Sequence, residues 1–440
     1  MNSSRKAPNA HQQPTPSALR WAWSFGIALL LALASGCRPP APDSSGASQA
    51  AESVDPVNLL QAAPVGQPLS GRPWITHLNV SDLDQDGQPE VLFCDAKENS
   101  IGWLRQSEQG WTESTLATGI SGPVHVEPSD IDQDGDLDLL VASMGQIFPN
   151  NDKIGTVLIL ENAGASHFTK HVIIDQIARV TDVRAGDFDK DGLIDLAVGQ
   201  FGYEQGEIRW MRNRGEWRFE SHTLLHAAGT INVCVADLNG DSHLDIAALV
   251  SQQWEEIYLF EGDGAGNFEK KVIFGSTNED FGSSGIALYD LNRDGRLDIL
   301  YSNGDGFDYA RPGPRPWHGV QWLENRGNGF FAYQRIGDFA GAHSPVGVDL
   351  DQDGDIDVVA VSAFNEWDRP HSASMMLFEN DGQMNFTSRV LARTPTHLLT
   401  CVAVYLEDGD TPTLFTGGFH AYPPWDRMSR LLAWREELTQ

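Results

Sequence analysis

Cations are scarce in this chain: 30 Lys and Arg face 61 Asp and Glu, a formal net charge of −31 over 440 residues. A surface this anionic repels phosphate backbones and anionic lipid, which excludes nucleic acid as a partner. Cysteine is scarcer still, with only Cys37, Cys94, Cys234 and Cys401. No CxxC or CxxCH pair occurs, which excludes zinc ribbons and attached c-type haem. The last three cysteines fall in strand-like segments far apart, so buried free thiols are expected rather than a disulfide framework. HExxH, GxSxG and GxxxxGK[ST] are all missing, and with them the usual metalloprotease, hydrolase and P-loop readings. Long apolar runs are missing except for Ala22–Ala34, which is too short to cross a bilayer.

What the chain does have is an acidic nonapeptide repeated six times at intervals of roughly 50 residues: DLDQDGQPE, DIDQDGDLD, DFDKDGLID, DLNGDSHLD, DLNRDGRLD and DLDQDGDID. Positions one, three and five are Asp82, Asp84 and Asp86; Asp130, Asp132 and Asp134; Asp187, Asp189 and Asp191; Asp237, Asn239 and Asp241; Asp290, Asn292 and Asp294; and Asp349, Asp351 and Asp353. Oxygens at that spacing converge on one point while a Gly at position six makes the sharp turn, an arrangement that suits calcium. Position seven (Gln88, Asp136, Leu193, His243, Arg296, Asp355) would offer a backbone carbonyl. The acid at position nine (Glu90, Asp138, Asp195, Asp245, Asp298, Asp357) would close the cage. An EF-hand would instead place its closing Glu at position twelve between helices. Up to six calcium ions are expected. The fourth loop should be weakest, because Ser242 replaces its Gly at a turn that favours positive φ.

Each acidic loop lies between two short β-branched segments, so it joins two strands of a hairpin. A second motif, an apolar pair followed by Asn, Gly and an aromatic, reads as another hairpin, as in VLILENAGASHF and VQWLENRGNGF. Four strands per period of about 50 residues indicate an all-β, seven-bladed propeller of four-stranded antiparallel blades. Cys401–Gly418 begins a seventh blade that has lost the acidic ligands, and the stretch 56–65 is placed to supply its fourth strand, covering two sheet edges.

These repeats resemble the FG-GAP/VCBS family, which also builds the integrin α-chain propeller, over roughly residues 57–440. The resemblance implies the propeller fold and the calcium loops. It does not imply one ligand, since the family includes adhesion proteins, lectin-like proteins and propellers appended to enzymes. The run Ala22–Ala34, preceded by Arg5, Lys6 and Arg20, fits a signal-peptide core. It ends in LASGC, which resembles a bacterial lipobox with Cys37 as the lipidated residue. The expected organisation is a lipoprotein signal peptide (1–36), a Pro/Ala/Ser-rich tether (37–56) and the propeller (57–440). The protein would be an exported, monomeric cell-envelope lipoprotein that touches membrane only through its anchor.

The ligand face is expected opposite the cation loops, over blades five to seven. There Phe307, Asp308, Tyr309, Arg311, Trp317 and His318 would neighbour Glu366, Trp367, Asp368, His371, His420 and Trp425. Flat rings with charged groups suit a glycan or protein ligand, and also suit loops that pack on one another. The alternative reading is a carbohydrate-active enzyme of glycoside hydrolase or polysaccharide lyase type, with an acid/base pair among Asp305, Asp308, Glu366, Asp368 and Asp426. His77, His125 and His343 precede their acidic loops by five or six residues. That places them at the channel mouth, where they could ligate a transition metal or bond to loop carbonyls.

Overall fold

The computed structural model describes residues 60–436 apart from 109, 165–166, 253, 308–311 and 407–410. Cys37, the signal peptide and the tether lie outside the described residues. Twenty-eight strands form seven four-stranded antiparallel sheets. Within each, the strand nearest the axis comes first: Ile75–Ser81, Pro123–Ser129, Arg179–Gly186, Thr230–Ala236, Ser283–Tyr289, Ala342–Val348 and Leu398–Val404 for blades one to seven. The strands that follow the acidic loops, such as Asp138–Ser143 and Asp357–Ser362, are buried along their whole length. Their unbroken Val, Ile, Leu and Ala runs face a neighbouring blade on each side. The hydrophobic core therefore lies between blades. Leu92, Ile101, Val126 and Leu139 join blades one and two, and Val359, Leu377, Leu398 and Leu414 join six and seven.

Leu60–Pro64 supplies the fourth strand of blade seven, pairing antiparallel with Leu431–Glu436 from Leu60 opposite Glu436 to Pro64 opposite Leu432. Beside this seam sits an ion pair that the charge pattern did not announce. The Arg430 guanidinium, just before the last strand, meets Glu113 of blade one at 2.6 and 2.9 Å. Glu113 also accepts the Gln67 N–H at 2.7 Å, and Arg430 lies over the Phe93 ring. One buried carboxylate thus holds the first blade, the last blade and the segment between the closing strand and blade one.

A belt of blade-to-blade hydrogen bonds circles the channel. Most inner strands carry a bulge near their start, at Thr76, Val124, Thr181, Ile231, Ser284 and Leu399. Except in blade five, where it is Gly285, the residue after the bulge points its side chain at the next blade. Thr400 accepts the Leu78 N–H at 3.2 Å, His77 the Val126 N–H at 3.3 Å, Asp182 the Val233 N–H at 3.0 Å and Asn232 the Ile286 N–H at 3.4 Å. Bulged hydroxyls add donors: Thr76 to the Pro123 carbonyl at 2.7 Å and Thr181 to the Thr230 carbonyl at 2.9 Å. Cys94, Cys234 and Cys401 are free and buried, and burial pushes the thiols of Cys234 and Cys401 up to about 12.

Removing one partner of the clasp leaves the other charge buried, so Arg430→Ala or Glu113→Ala is expected to cost about 3 kcal/mol in urea unfolding. Arg430→Met with Glu113→Leu should restore part of that loss, since the buried Asp95, 3.8 Å from Arg430, still loses its cation. Equal losses in single and double variants would show that the charges do not act as a pair.

Candidate metal loops and ligand face

The acid at position nine is first of all a fastener. In all six loops one of its oxygens accepts the N–H of position two: Leu83, Ile131, Phe188, Leu238, Leu291 and Leu350, at 2.8 to 3.3 Å. In five of them the other oxygen accepts the N–H that ends the third strand, at Asn162, Asn213, Gly262, Asn325 and Asn380. Burial pushes Asp138, Asp195, Asp245 and Asp357 up to about 6, and Glu90 and Asp298 up to about 7.

The Asn of the second motif completes this joint. Its amide donates to the carbonyl of position eight in four blades, Asn162 to Leu137, Asn213 to Ile194, Asn325 to Leu297 and Asn380 to Ile356. Its Oδ1 accepts the turn Gly N–H in three, Gly215, Gly327 and Gly382. The positive φ of the turn falls on Gly164, Gly215, Gly327 and Gly382 and on residues after them such as Glu216, Asn328 and Met384, not on this Asn. The Asn is a buried bridge between hairpins, not the turn residue the motif suggests.

Four of the six loops gather a metal-competent triad, with ligand oxygens within 4.8 Å of one another: Asp82, Asp84 and Asp86; Asp130, Asp132 and Asp138; Asp187, Asp189 and Asp195; Asp349, Asp351 and Asp353. In these four loops the position-one Oδ1 (Asp82, Asp130, Asp187, Asp349) is buried without a hydrogen-bond partner. A hard cation fits that vacancy in the hydrogen bonding. Loops four and five differ. The Asp237 Oδ1 accepts the Gly240 N–H at 2.7 Å, the Asp290 Oδ1 accepts the Asp294 N–H at 2.9 Å, and the amides of Asn239 and Asn292 donate to Asp241 and Asp294. Among the described residues, four of the expected six loops therefore present an acidic triad that could hold a metal ion, while in loops four and five the Asn amides bond within the loop.

Ser242 also proves a weaker liability than its identity suggests. Position four has positive φ in every loop, and Gln85, Gln133, Lys190, Arg293 and Gln352 hold it at 55° to 62°. In loop four Gly240 takes that position and Ser242, at 68°, takes position six, where the other loops have Gly. Each loop therefore carries one strained non-Gly residue, and loop four is not exceptional.

On the opposite face the expected side chains separate. His318 is buried, its Nδ1 accepting the N–H groups of Arg315 and Gly341, and burial pushes it down to about 3. His420 is buried against the Ser429 backbone and held at about 4. Trp367 is 7% exposed and lies edge-on to His397 at 5.2 Å. Trp317 donates to the Asp280 carbonyl at 2.7 Å. Glu366, Asp368 and His371 are exposed, with Glu366 paired to Arg369. Trp425 is 44% exposed under the Arg72 guanidinium. Asp308, Tyr309 and Arg311 lie outside the described residues.

Phe307 reaches the channel. Its ring meets Phe364 at 4.8 Å, Phe419 at 5.5 Å and Tyr422 at 6.3 Å, and Trp74 joins Phe419 to Phe148. These rings from blades one, two, five, six and seven form an aromatic mouth. A shared signal was present: Gly306-Phe307, Ala363-Phe364 and Gly418-Phe419 each place Phe after a small residue near the end of a second strand. Below the mouth lies a channel cavity of about 550 Å³ lined by all seven inner strands.

Residues 82–141, 187–248 and 248–301 match a family model described as an FG-GAP-like repeat. The chain carries FG-GAP-like repeats in a seven-bladed β-propeller. No curated protein matches it. Among solved structures it is similar to two crystals of BBS1N in complex with ARL6DN. The one soaked with lead has 11% identity and a TM-score of 0.51, covering 87% of this chain and 99% of that one. The one soaked with mercury has the same identity and coverage and a TM-score of 0.53. Identity this low establishes a common fold alone.

Calorimetric titration of the metal-free FG-GAP propeller with calcium is expected to show four sites. Six would mean that the Asn-closed loops open. The raised pKa values of the position-nine acids set a pH dependence. A folded value near 6 to 7, above the unfolded value near 4, gives stability that is present at low pH and lost as pH rises through 6 to 7. Metal offsets that loss by compensating the charge. The rise in Tm from chelator to millimolar calcium should therefore be larger at pH 7.5 than at pH 5, and an equal rise at both would separate the fasteners from the cages.

Proposed function

We propose that this FG-GAP propeller is an exported, membrane-tethered binding module whose loops hold calcium and whose opposite face takes a glycan or protein ligand. The aromatic mouth over the channel carries this reading: rings from five blades meet at one opening, on the face away from the acidic loops. Phe148, Phe307 and Tyr422 stay partly exposed over the buried Phe364 and Phe419, and aromatic surface with polar groups below is what carbohydrate and peptide recognition use. In this reading calcium staples blades one, two, three and six, adding about 1 kcal/mol each at millimolar concentration, and does not signal. Cys37 carries the lipid and 37–56 is the tether.

The test is a glycan array and a protein pull-down with the full chain, run in millimolar calcium and in chelator, with products checked after long incubation. Binding that falls with Phe307→Ala supports the module. New reducing ends or unsaturated products would replace it with an enzyme, and binding indifferent to the mouth residues would move the site elsewhere. Cys37→Ser should release the protein from the membrane fraction. Retention there would remove the lipid anchor from the proposal.

A further inference from the structure

Three imidazoles line the channel below the mouth, His77, His125 and His343, and their partners fix which edge each presents. The Nδ1 of His77 accepts the Val126 N–H, so its proton sits on Nε2 and that edge donates. The Nδ1 of His125 lies 3.2 Å from Asp182, which can only accept, so this nitrogen carries a proton. Its Nε2 has no accessible surface and lies 3.8 Å from the Glu127 carboxylate, so that edge is closed to a channel ligand. His343 donates from Nδ1 to the Gly341 carbonyl at 3.0 Å, which leaves its Nε2 as an acceptor. Desolvation holds His77 well below its ordinary range and His343 at about 4. A shared transition metal does not suit this set, because the one lone pair of His77 is already used.

Charge inside the channel is compensated before any ligand arrives. Arg184 lies between Glu127 at 2.8 Å and Asp182 at 3.2 Å, and neither carboxylate lines the channel. Arg179 donates to the Ile147 and Phe148 carbonyls and lies over Phe201. Asp305 accepts the Phe307 N–H at 2.9 Å. What the channel offers is balanced in charge: one cation, Arg179, and one anion, Asp305, beside the paired Arg184, with one imidazole donor, one imidazole acceptor, neutral polar groups such as Asn232 and Ser344, and apolar walls. A volume of about 550 Å³ suits a small molecule and not a folded partner.

We propose that the channel binds a neutral polyhydroxylated ligand, a sugar residue or the end of an uncharged oligosaccharide. His77 donates to its hydroxyls, His343 accepts from them, and Phe307 faces its C–H surface. This deepens the binding-module reading and rests on it. Hydroxyls both donate and accept, so they satisfy both ring edges. A carboxylate or ammonium group would be desolvated and would upset the balance of charge in the lining.

The experiment is saturation-transfer NMR and calorimetry on the full chain with a panel of neutral methyl glycosides and disaccharides, with a methyl glucuronide and glucosamine as charged controls. At least one neutral glycoside is expected to bind. Affinity should fall about tenfold or more in His343→Leu, which removes the channel acceptor. The same loss is expected in Ala287→Phe, which fills the channel without touching the belt, while Phe330→Ala, exposed and outside the cavity, should leave binding unchanged. Matching unfolding curves for Ala287→Phe and the native chain exclude misfolding as the cause. Glycoside binding that survives Ala287→Phe overturns the channel site and leaves the module standing. Protein capture without any glycoside binding does the same. Preference for either charged control overturns the ligand class, and silence in every assay overturns both readings.

Discussion

The position-nine carboxylate is the joint on which each cation-loop blade depends. It is buried, it begins the strand after the acidic loop, and its two oxygens fasten that loop to the end of the third strand. Two hairpins that share only their middle strands are thereby locked in one register. The Asn of the third strand repeats the lock from the other side through the carbonyl of position eight. A buried acid would be costly if its lone pairs were unmet, yet here every one takes up at least two backbone donors or, in Glu90, a donor and the nearby Arg105. In blade seven, which has no acidic ligands, Thr413 stands at the equivalent start of its second strand.

Around that joint the six loops answer the same electrostatic problem in three ways. Loops four and five replace the central Asp by Asn and close on themselves. Loops one and three keep the Asp and bring in a guanidinium from the third strand, Arg105 to Asp84 and Arg212 to Asp189, each at 2.5 Å. In loops two and six the same strand position holds an acid, Glu161 or Glu379, and Glu379 turns to Arg389. The local field is therefore most negative at loops two and six, and a divalent ion there displaces no arginine. A cation in loops one and three must first release one. The gradation follows from side chains some twenty residues away from the loops they tune.

Much of this was legible in the sequence because the pattern repeats. Period-two alternation, a turn chemistry repeated six times and a missing last strand lead to seven blades, and Leu60–Pro64 closes the ring on a segment the count required. What could not be read were relations between distant positions. Asn239 looks like one charge fewer in a cage, but only geometry shows its amide donating to Asp241. Ser242 looks strained until Gly240 is seen to relieve the neighbouring turn. Trp367 and His318 look like ligand-face residues because loops favour exposure, while the structure buries both under their own loops. Arg430 and Glu113 are 317 residues apart, and no local pattern links them.

The channel follows from the same economy of repeats. Each blade contributes one inner strand, and in most the residue after a bulge turns its side chain toward the next blade. Where that side chain is Thr or Asn, the belt is satisfied and nothing remains. In blade one it is His77: its Nδ1 serves the belt, and its Nε2 is left over, unable to reach the same backbone group. His125 instead sets both edges against carboxylates, Asp182 of the next blade and Glu127 at 3.8 Å. Packing therefore needs only half of the His77 imidazole. The other half is polar, set deep in a channel whose charges balance, and a buried polar edge without a partner is a place where a ligand hydroxyl gains more than it would in water.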